Sequence, residues 1–251
     1  MLDVKELSVT YGDGTEGLIR ASFHLAPGEK CALIGENGAG KTTLLMALVG
    51  VFPGRGTVKA AGVSLLPETL RTVRQKVGVL MQNPDDQLFL PTILQDVAFG
   101  PKNLGYSRGA AEERARSMLA RLEISHLADR SALRLSGGEK RMAALAAVLV
   151  MEPEVLLLDE PTAFLDPKAR RRLMEVLKGL PQTMLIATHD LGFALEVCPG
   201  TLLIRGGEIL QKGESRVLLF DEDQMERAGV ESLPVYSGLS WADKEDVNET
   251  A

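Results

Sequence analysis

The sequence predicts an α/β fold built around a buried parallel sheet. A short apolar run, residues 31–34, is followed by a glycine-rich segment and then by a helical run that Gly50 closes. Two further apolar runs, residues 155–158 and 184–187, have no polar interruption. Continuous runs of this length are expected of strands that are covered on both faces. The order of strand, glycine loop and helix is the order that a phosphate-binding α/β core requires.

Composition limits the class of protein. The 251 residues and 27.1 kDa are enough for one large domain or two small ones. Charged residues make up 25% and hydrophobic residues 45%, which is ordinary globular composition. The formal net charge of -6 argues against general binding of nucleic acid. Residues 221–251 contain nine acidic and two basic residues, which predicts a solvated tail that is partly helical or disordered.

Cysteine usage and hydropathy favour a protein of the reducing cytoplasm. The sequence has two cysteines, Cys31 and Cys198, and so has no disulfide framework. Its first residues have no signal-peptide character, and no apolar run approaches the roughly 18 residues of a membrane span. We therefore expect the chain by itself to be soluble.

The glycine-rich segment fits the pattern G-x-x-x-x-G-K-[ST] of phosphate-binding loops. It comprises Gly35, Glu36, Asn37, Gly38, Ala39, Gly40, Lys41, Thr42 and Thr43. Glycines let successive backbone N–H groups curl around phosphate oxygens, and the N-terminus of the following helix adds a favourable dipole. Lys41 is expected to reach the β- and γ-phosphates, Thr42 to bind Mg²⁺ and Thr43 to contact the α-phosphate. The alternative is a glycine-rich turn with an incidental lysine.

Two side chains at strand ends are further candidates. Alternation predicts strands over residues 1–34, and Tyr11 ends the first of them. Its ring is placed to stack on adenine, although it could equally be an ordinary surface or core tyrosine. A helix near residues 68–74 and a strand at residues 77–81 lead to Gln82. Open α/β sheets place ligand groups at such strand ends, so the amide is a candidate for Mg²⁺ or the attacking water; a plain loop with a proline is the alternative.

The middle of the chain is predicted to be mostly helical, with helices near residues 92–103, 108–123 and 138–151. Before the last helix stand Leu135, Ser136, Gly137, Gly138 and Glu139. A serine, two glycines and a helix N-terminus form a second possible anion-binding nest. Ser136 is also a natural N-cap, and taken alone the segment is merely a capped helix.

Acids follow the apolar run at residues 155–158. Asp159 is expected to hold Mg²⁺ through water, and Glu160 to act on the attacking water. His189 follows the next apolar run in the same manner, at the place where a γ-phosphate would lie. A hairpin of two strands over residues 201–205 and 208–211, then one or two helices over residues 214–229, complete the predicted elements.

Together these motifs resemble an ABC-type ATPase domain. The matching positions are Tyr11, residues 35–43, Gln82, residues 135–139, residues 156–160, Asp166 and His189. The resemblance implies a P-loop NTPase core with an antiparallel β subdomain and a helical subdomain over about residues 83–151. It covers residues 1–215 and leaves residues 216–251 as the acidic tail.

The resemblance also implies how the site is used. ATP and Mg²⁺ are the expected cofactors, with Thr42, Gln82 and Asp159 at the metal. Glu160, His189 and Gln82 are the expected catalytic residues. The second nest has no phosphate left to bind within its own subunit, so a second ATPase subunit is expected in a head-to-tail dimer, most simply a homodimer, that holds two ATP molecules. The residues expected at the other copy's ATP are Ser136, Gly137, Gly138, Glu139 and Asp166.

A narrower resemblance is to the ATPase subunits of energy-coupling-factor importers. It rests on residues 82–89 and 96–105, and the length and residues 135–166 are similar to cobalt and nickel importers. It implies two membrane partners, a coupling subunit and a substrate-binding subunit, and a peripheral position on the cytoplasmic face of the cell membrane. The alternatives are the ATPase of a vitamin or other micronutrient importer of the same type, or a soluble ABC ATPase outside transport. No nucleic-acid partner is expected.

Two positions depart from the family pattern. Met142 stands where many members have Arg or Gln, so a polar link from that helix is expected to be absent. Phe164 stands where a small residue is usual, and its ring is expected to alter packing across the dimer. Neither residue contacts a phosphate ligand, so hydrolysis is still expected.

Overall fold

The computed structural model describes residues 1–234, which form two β-sheets with helices packed around them. The strands are β1 (Leu2–Thr10), β2 (Glu16–Leu25), β3 (Lys30–Ile34), β4 (Arg55–Ala60), β5 (Val63–Ser64), β6 (Val77–Leu80), β7 (Val155–Asp159), β8 (Thr183–Ala187), β9 (Gly200–Arg205) and β10 (Glu208–Glu214). The α-helices are α1 (Lys41–Leu48), α2 (Leu70–Lys76), α3 (Ile93–Asn103), α4 (Arg108–Arg121), α5 (Gly137–Leu149), α6 (Pro167–Gly179), α7 (Leu191–Val197), α8 (Ser215–Leu218) and α9 (Glu222–Arg227). The predicted α/β class is confirmed.

The larger sheet has the strand order β10-β9-β3-β8-β7-β6, and its strands are parallel except at β10. Successive residues of β3 enter two different core clusters. Ala32 and Ile34 pack with the helices α3 to α5, whereas Cys31 and Leu33 pack with α1 and the smaller sheet. Because both faces are covered, the central strands are apolar until their carboxyl ends. This explains the uninterrupted apolar runs in the sequence.

The smaller sheet has the order β2-β1-β4-β5 and is antiparallel throughout. The buried residues of β1 pack toward α1 and the larger sheet, and the register of its pairing with β2 shifts between Val4 and Leu7. The sheets meet at the start of β2, where the backbone N–H of Ile19 donates to the carbonyl of Gly207 at 2.9 Å. This contact brings the start of β2 close to the loop that precedes α1.

Helices α3, α4 and α5 pack against one another beside β6. Their bounds lie within two residues of the predicted ones, and each begins at a serine or threonine N-cap whose side chain accepts a backbone N–H. Residues 141–146 of α5 are all buried, because this helix lies between the other helices and the larger sheet. Within residues 1–234, no helix is long and apolar enough to span a bilayer.

The last described residues are part of the packed core. The side chains of Leu218, Leu219 and Met225 are buried in the same core cluster as α3 to α5. The domain boundary at residue 215 stays a prediction, and the chain directly beyond it buries apolar side chains in the main core. The sequence predicts one or two helices over residues 214–229, and the structure has two, α8 and α9. Residues 235–251, the remainder of the predicted tail, lie outside the described residues.

Both cysteines are free, buried thiols on opposite faces of the larger sheet. Cys31 lies in β3, and Cys198 ends α7. Burial raises the pKa of Cys31 to about 12 and also raises the pKa of Cys198 above its ordinary value. Since the thiolate is the reactive form of cysteine, neither side chain is chemically reactive in the folded protein.

Candidate active site

A cavity of about 650 Å³ opens at the carboxyl ends of the parallel strands. It is lined by Tyr11, Thr15, Glu16, Gly17, Asn37, Gly38, Gly40, Lys41, Thr42, Thr43, Gln82, Asp159, Glu160 and His189. Eleven of these residues were identified as candidates from the sequence, and the fold brings them to one place. The other three, at the start of β2, carry no recognisable motif and reach the cavity because the two sheets meet there.

The loop before α1 follows a path that only glycine allows at two of its positions. At Gly35, an added Cβ would lie 2.1 Å from the carbonyl oxygen of Ile204 in β9. At Gly40, φ is 101° and an added Cβ would lie 2.7 Å from the carbonyl oxygen of Gly17. Between them, Ala39 is buried in the core beneath the loop. The loop is thus confined between β9 and the start of β2, which fixes its backbone beside the cavity.

Lys41, the first residue of α1, places a buried ammonium group within this loop. Its Nζ donates to the carbonyl of Gly35 at 2.7 Å and to that of Glu36 at 3.0 Å. Burial lowers the pKa of Lys41, and the carboxylates of Glu160 and Asp159 oppose that shift. A partly desolvated cation at the wall of a cavity is suited to bind phosphate oxygens, because its field is less screened there than in bulk water.

Thr42 and Asp159 form an oxygen-rich wall of the cavity. The hydroxyl of Thr42 donates to Oδ2 of Asp159 at 2.7 Å. Burial raises the pKa of Asp159 and the charge of Glu160 adds to the rise, whereas the bond from Thr42 and the charge of Lys41 oppose it. Among residues 1–234, no group of three or more His, Cys, Asp or Glu side chains is arranged to hold a metal unaided. The donors fit Mg²⁺, which takes one or two protein oxygens together with water and phosphate oxygens.

Glu160 and His189 are in direct contact at the same cavity. Nδ1 of His189 lies 2.8 Å from Oε2 of Glu160, and the backbone N–H of His189 donates to the same oxygen at 3.2 Å. The carboxylate is buried on a left-handed backbone with φ of 43°, whereas the imidazole is mostly exposed. Asp190, the residue after His189, is fixed by Arg170, which donates to both of its carboxylate oxygens at 2.6 and 2.8 Å. The pair is therefore positioned with its imidazole free to contact a ligand.

Tyr11 lies at the rim of the cavity. Its hydroxyl is hydrogen-bonded to Oγ1 of Thr43 at 2.5 Å. Its ring packs edge-to-face on Phe52, with the ring centroids 5.5 Å apart. Gly17 leaves room for the ring, since an added Cβ there would lie 2.9 Å from it. The tyrosine is thus joined to the residue that is predicted to contact the α-phosphate, and stacking of its ring on adenine stays a prediction.

The segment around Ser136 does not reach this cavity. Oγ of Ser136 accepts the backbone N–H of Glu139 at 3.3 Å, and the carboxylate of Glu139 accepts that of Ser136 at 2.9 Å, so the two residues cap α5. These bonds lower the pKa of Glu139. Gly138 and Asp166, the N-cap of α6, line the same separate pocket of about 240 Å³. Gly137 is the first residue of α5 and lies beside them. None of these residues lines the cavity beside the glycine loop of their own chain.

Sequence reasoning missed Arg141, whose side chain is 1% exposed in α5. Its Nη1 donates to the carbonyl of Met81 at 2.7 Å, and its Nη2 donates to that of Gln82 at 2.6 Å. The expectation that a polar link from this helix is absent because of Met142 is wrong, since the preceding residue supplies the link. Burial lowers the pKa of Arg141 to about 10. Arg141 directly follows the charged residues Glu139 and Lys140 and precedes the apolar run of α5, so its place in the sequence gave no signal that it is buried.

Phe164 is 93% exposed and has a left-handed backbone with φ of 61°. It lies in the loop between Glu160 and α6, and an added Cβ on Gly137 would lie 3.5 Å from its carbonyl oxygen. The loop that begins at Glu160 therefore runs to the cap of α5. The predicted effect of the ring on dimer packing stays a prediction.

Comparison with known proteins identifies the family. The family model described as ABC transporter matches residues 18–163, which is more than half of the chain. The chain belongs to this family. An ABC transporter ATP-binding protein of Gloeobacter violaceus is 49% identical over 240 residues, covering 94% of this chain and 98% of that protein. The energy-coupling factor transporter ATP-binding protein of Methanothermobacter thermautotrophicus is 38% identical over 236 residues, covering 92% and 76%.

Solved structures agree with this family and with the fold. The structure of cbiO1 from Clostridium perfringens, part of the ABC transporter complex cbiONQ, has a TM-score of 0.77 and 35% identity, covering 90% of this ABC ATPase and 92% of that chain. A dimeric ATP-binding cassette in a post-hydrolysis state with ADP and phosphate has a TM-score of 0.77 and 26% identity, covering 86% and 99%. The protein is the ATP-binding subunit of an ABC transporter, in which ATP hydrolysis is coupled to transport.

Proposed function

We propose that the 650 Å³ cavity binds ATP with Mg²⁺ and is the place of hydrolysis. The observation that carries the proposal is that the Lys41 ammonium, the Thr42–Asp159 pair and the Glu160–His189 pair converge on one cavity. Phosphoryl transfer needs positioned cations, N–H donors and an oriented nucleophile rather than covalent chemistry by the protein. This set of groups supplies each of those needs.

Each group has a distinct role in binding. Lys41 and the backbone N–H groups of residues 35–43 bind the phosphates, and Tyr11 holds the adenine side. Thr42, Gln82 and Asp159 hold the metal, which neutralises charge on the β- and γ-phosphates when it is bound. The hydrogen bond between Thr42 and Asp159 supports this role, because it places two hard oxygen donors within 2.7 Å of each other.

Catalysis is assigned to the pair on the neighbouring strand ends. Glu160 accepts a hydrogen bond from the attacking water and takes its proton as the bond from water to the γ-phosphorus forms. The bond from that phosphorus to the bridging oxygen breaks, and the oxygen leaves with ADP. His189 is oriented by Nδ1 against the carboxylate at 2.8 Å, which leaves the rest of its exposed ring to contact the γ-phosphate. Gln82 lines the same cavity and orients the water from the metal side.

Replacement of one carboxylate oxygen tests the assignment. In Glu160→Gln, the ATPase turnover should fall about 10²- to 10⁴-fold while ATP binding persists, because the amide keeps the shape of the site and loses the base. Glu154→Gln is the matched control, since Glu154 directly precedes β7 and its carboxylate forms an ion pair with Lys76 outside the cavity. Wild-type turnover by Glu160→Gln would remove Glu160 from this role.

A second copy of the chain completes the site in a head-to-tail dimer. Support comes from the cap of α5, where Ser136, Gly138 and Glu139 line a pocket separate from the chain's own cavity. The dimeric solved structures of related cassettes also favour this arrangement. If two chains share one site, the ATPase rate should rise faster than linearly with dilute protein concentration. Strict proportionality down to the nanomolar range would contradict a shared site.

We further propose that the transporter is of the energy-coupling-factor type and imports cobalt or nickel. The energy-coupling factor protein at 38% identity supports the transporter type, and cbiO1 at 35% is part of an ABC transporter complex. The cobalt or nickel cargo rests on the resemblance of residues 135–166. Its partners are then a membrane-embedded coupling subunit and a substrate-binding membrane subunit, and it works at the cytoplasmic face of the membrane. A vitamin importer of the same type is the second candidate.

The surface for the membrane partner is the exposed aromatic pair Phe89 and Phe99. The rings pack edge-to-face with centroids 5.3 Å apart, and both are exposed. Asp96 fixes this surface, because its buried Oδ1 accepts the backbone N–H groups of Phe89 and Leu90 at 3.0 and 2.9 Å. An exposed apolar pair of this kind suits a hydrophobic docking contact.

Co-purification tests the transporter type and its cargo. The tagged ATPase should bring down membrane subunits, and metal analysis of the complex after equilibration with cobalt or nickel should show one of these ions retained. Retention of a vitamin and not of either metal would establish the second candidate. If the ATPase is purified from intact membranes and no membrane subunit accompanies it, both the metal importer and the vitamin importer are contradicted.

A further inference from the structure

We propose that the C-terminal segment, defined as residues 215–233, positions the phosphate-binding loop through Glu36 and thereby sets the affinity for ATP. Glu36 is the second residue of that loop, and its peptide groups face two ways. Its backbone N–H donates to the carbonyl of Ala228 at 3.2 Å, and its carbonyl accepts Nζ of Lys41 at 3.0 Å. One residue thus joins the end of α9 to the ammonium group at the active site.

An arginine reinforces the same junction. Nε of Arg205, at the end of β9, lies 3.3 Å from Oε1 of Glu36, and its Nη1 donates to the carbonyl of Arg227 at 3.0 Å. The side chains of Arg205 and Glu36 are 50% and 43% exposed, so the ion pair alone is weak. Its contribution is geometric, because a planar guanidinium that holds two partners fixes their separation.

Close approach of the backbone shows how tightly the segment is fitted. Gly229 follows α9 with φ of 72°, and an added Cβ would lie 2.6 Å from Oε2 of Glu36. Glycine is the residue that ends helices in this left-handed conformation without steric cost. Here the missing side chain also makes room for the carboxylate of the loop.

The segment is a firm support because it is anchored in the core. Leu218, Leu219 and Met225 are buried in the core cluster that also contains Ile34, the residue directly before the loop. The backbone N–H of Leu233 donates to the carbonyl of Leu219 at 2.8 Å, which closes the segment on itself. Loop and segment therefore rest on one packed body. Holding Lys41 in place before ATP arrives reduces the ordering cost of binding.

The inference rests on the proposed role of residues 35–43 in binding phosphate. Its central test is Gly229→Ala in the full-length protein, with affinity measured by a fluorescent trinitrophenyl-ATP and by KM and kcat of the ATPase. The added methyl should displace the Glu36 carboxylate and raise Kd and KM roughly five-fold, the factor that corresponds to one ordinary hydrogen bond. The kcat should change by less than about two-fold, because the catalytic pair is not touched.

Matched variants separate positioning from loss of stability. Gly62 has φ of 77° and no atom within 4 Å of an added Cβ, so Gly62→Ala imposes similar backbone strain away from the loop. Gly62→Ala should lower Tm about as much as Gly229→Ala does and leave the affinity for nucleotide unchanged. In a Glu36→Ala background the contacts to Oε2 and Cδ are removed and the 3.1 Å approach to Cβ is left, so Gly229→Ala should then add less than about two-fold to Kd. If Gly229→Ala does not fold, Arg205→Met provides the same test with a smaller rise in Kd.

An unchanged Kd for nucleotide in Gly229→Ala would overturn the inference. So would a rise in Kd in Gly62→Ala as large as that in Gly229→Ala. A third contradicting result is that Gly229→Ala raises Kd by the same factor in the wild-type and Glu36→Ala backgrounds. Lys41→Ala shows which proposal has failed. If Lys41→Ala loses nucleotide binding while Gly229→Ala does not, only the role of the C-terminal segment is wrong. If Lys41→Ala binds nucleotide normally, the role of the loop itself is wrong.

Discussion

Replacement of Arg141 by methionine should both destabilise the protein and slow hydrolysis. The guanidinium makes two charge-assisted bonds, to the carbonyls of Met81 and Gln82 at 2.7 and 2.6 Å. Without this donor, each of the two carbonyls destabilises the folded protein by about 1–3 kcal/mol. Removing the buried charge is stabilising and partly offsets this loss, since burial of the guanidinium lowers its pKa to about 10. The net free energy of unfolding should fall by about 2–4 kcal/mol, because methionine fills most of the volume but donates no hydrogen bond.

Equilibrium urea unfolding, followed by circular dichroism, measures the stability of Arg141→Met against wild type. Arg116→Met is the control, since Arg116 is exposed on α4, and its change should stay within about 0.5 kcal/mol. The kcat of Arg141→Met should fall more than its affinity for ATP, because Gln82 loses its backbone support while residues 35–43 keep theirs. Stability within about 0.5 kcal/mol of wild type would show that the two bonds do not hold this strand end.

Two other positions give sharp expectations. Gly40→Ala should weaken ATP binding by more than about ten-fold, because the substitution combines a left-handed φ of 101° with a 2.7 Å contact to the carbonyl oxygen of Gly17. Gly105→Ala is the control, since Gly105 has φ of 93° and lies in open space. Equal losses of ATP affinity in the two variants would contradict the steric reasoning. Burial raises the pKa of Asp96, so the native state binds this proton more tightly than the unfolded chain and loses stability as pH rises above about 4. Urea titrations should therefore show Asp96→Asn gaining stability relative to wild type as the pH rises from about 4 to 7. A constant difference in stability across that range would exclude ionisation as its cause.

Local signals explain why much of the cavity could be predicted from the sequence. Lys41 directly follows a glycine loop, and Asp159 and His189 stand at the carboxyl ends of apolar strands. The carboxyl ends of parallel strands must meet at one edge of a sheet. The same signals located α5, because a serine cap and a glutamate three residues later mark a helix start. Such features depend on neighbours in the chain and are readable without the fold.

Contacts between distant segments could not be predicted in this way. Arg141 reaches Gln82 across the packing of α5 on β6, and periodicity alone does not say which residue of a helix faces a strand end. The start of β2 reaches the cavity only through pairing between the sheets, for which Ile19 and Gly207 carry no sequence signal. The burial of apolar side chains beyond residue 215 was missed for a similar reason. An acidic composition hid the few apolar residues that attach α9 to the core.

The buried cysteines make this protein a convenient subject for site-directed labelling. Both native thiols are buried, and burial raises the pKa of Cys31 to about 12. Maleimide reagents should therefore not react with them at neutral pH. A cysteine introduced at Phe164, the most exposed large apolar position of the active-site loop, would then be the single reactive thiol. A pair of spin labels attached there would report the spacing of two copies as ATP is bound and consumed. The wild-type background needs no prior removal of its own cysteines.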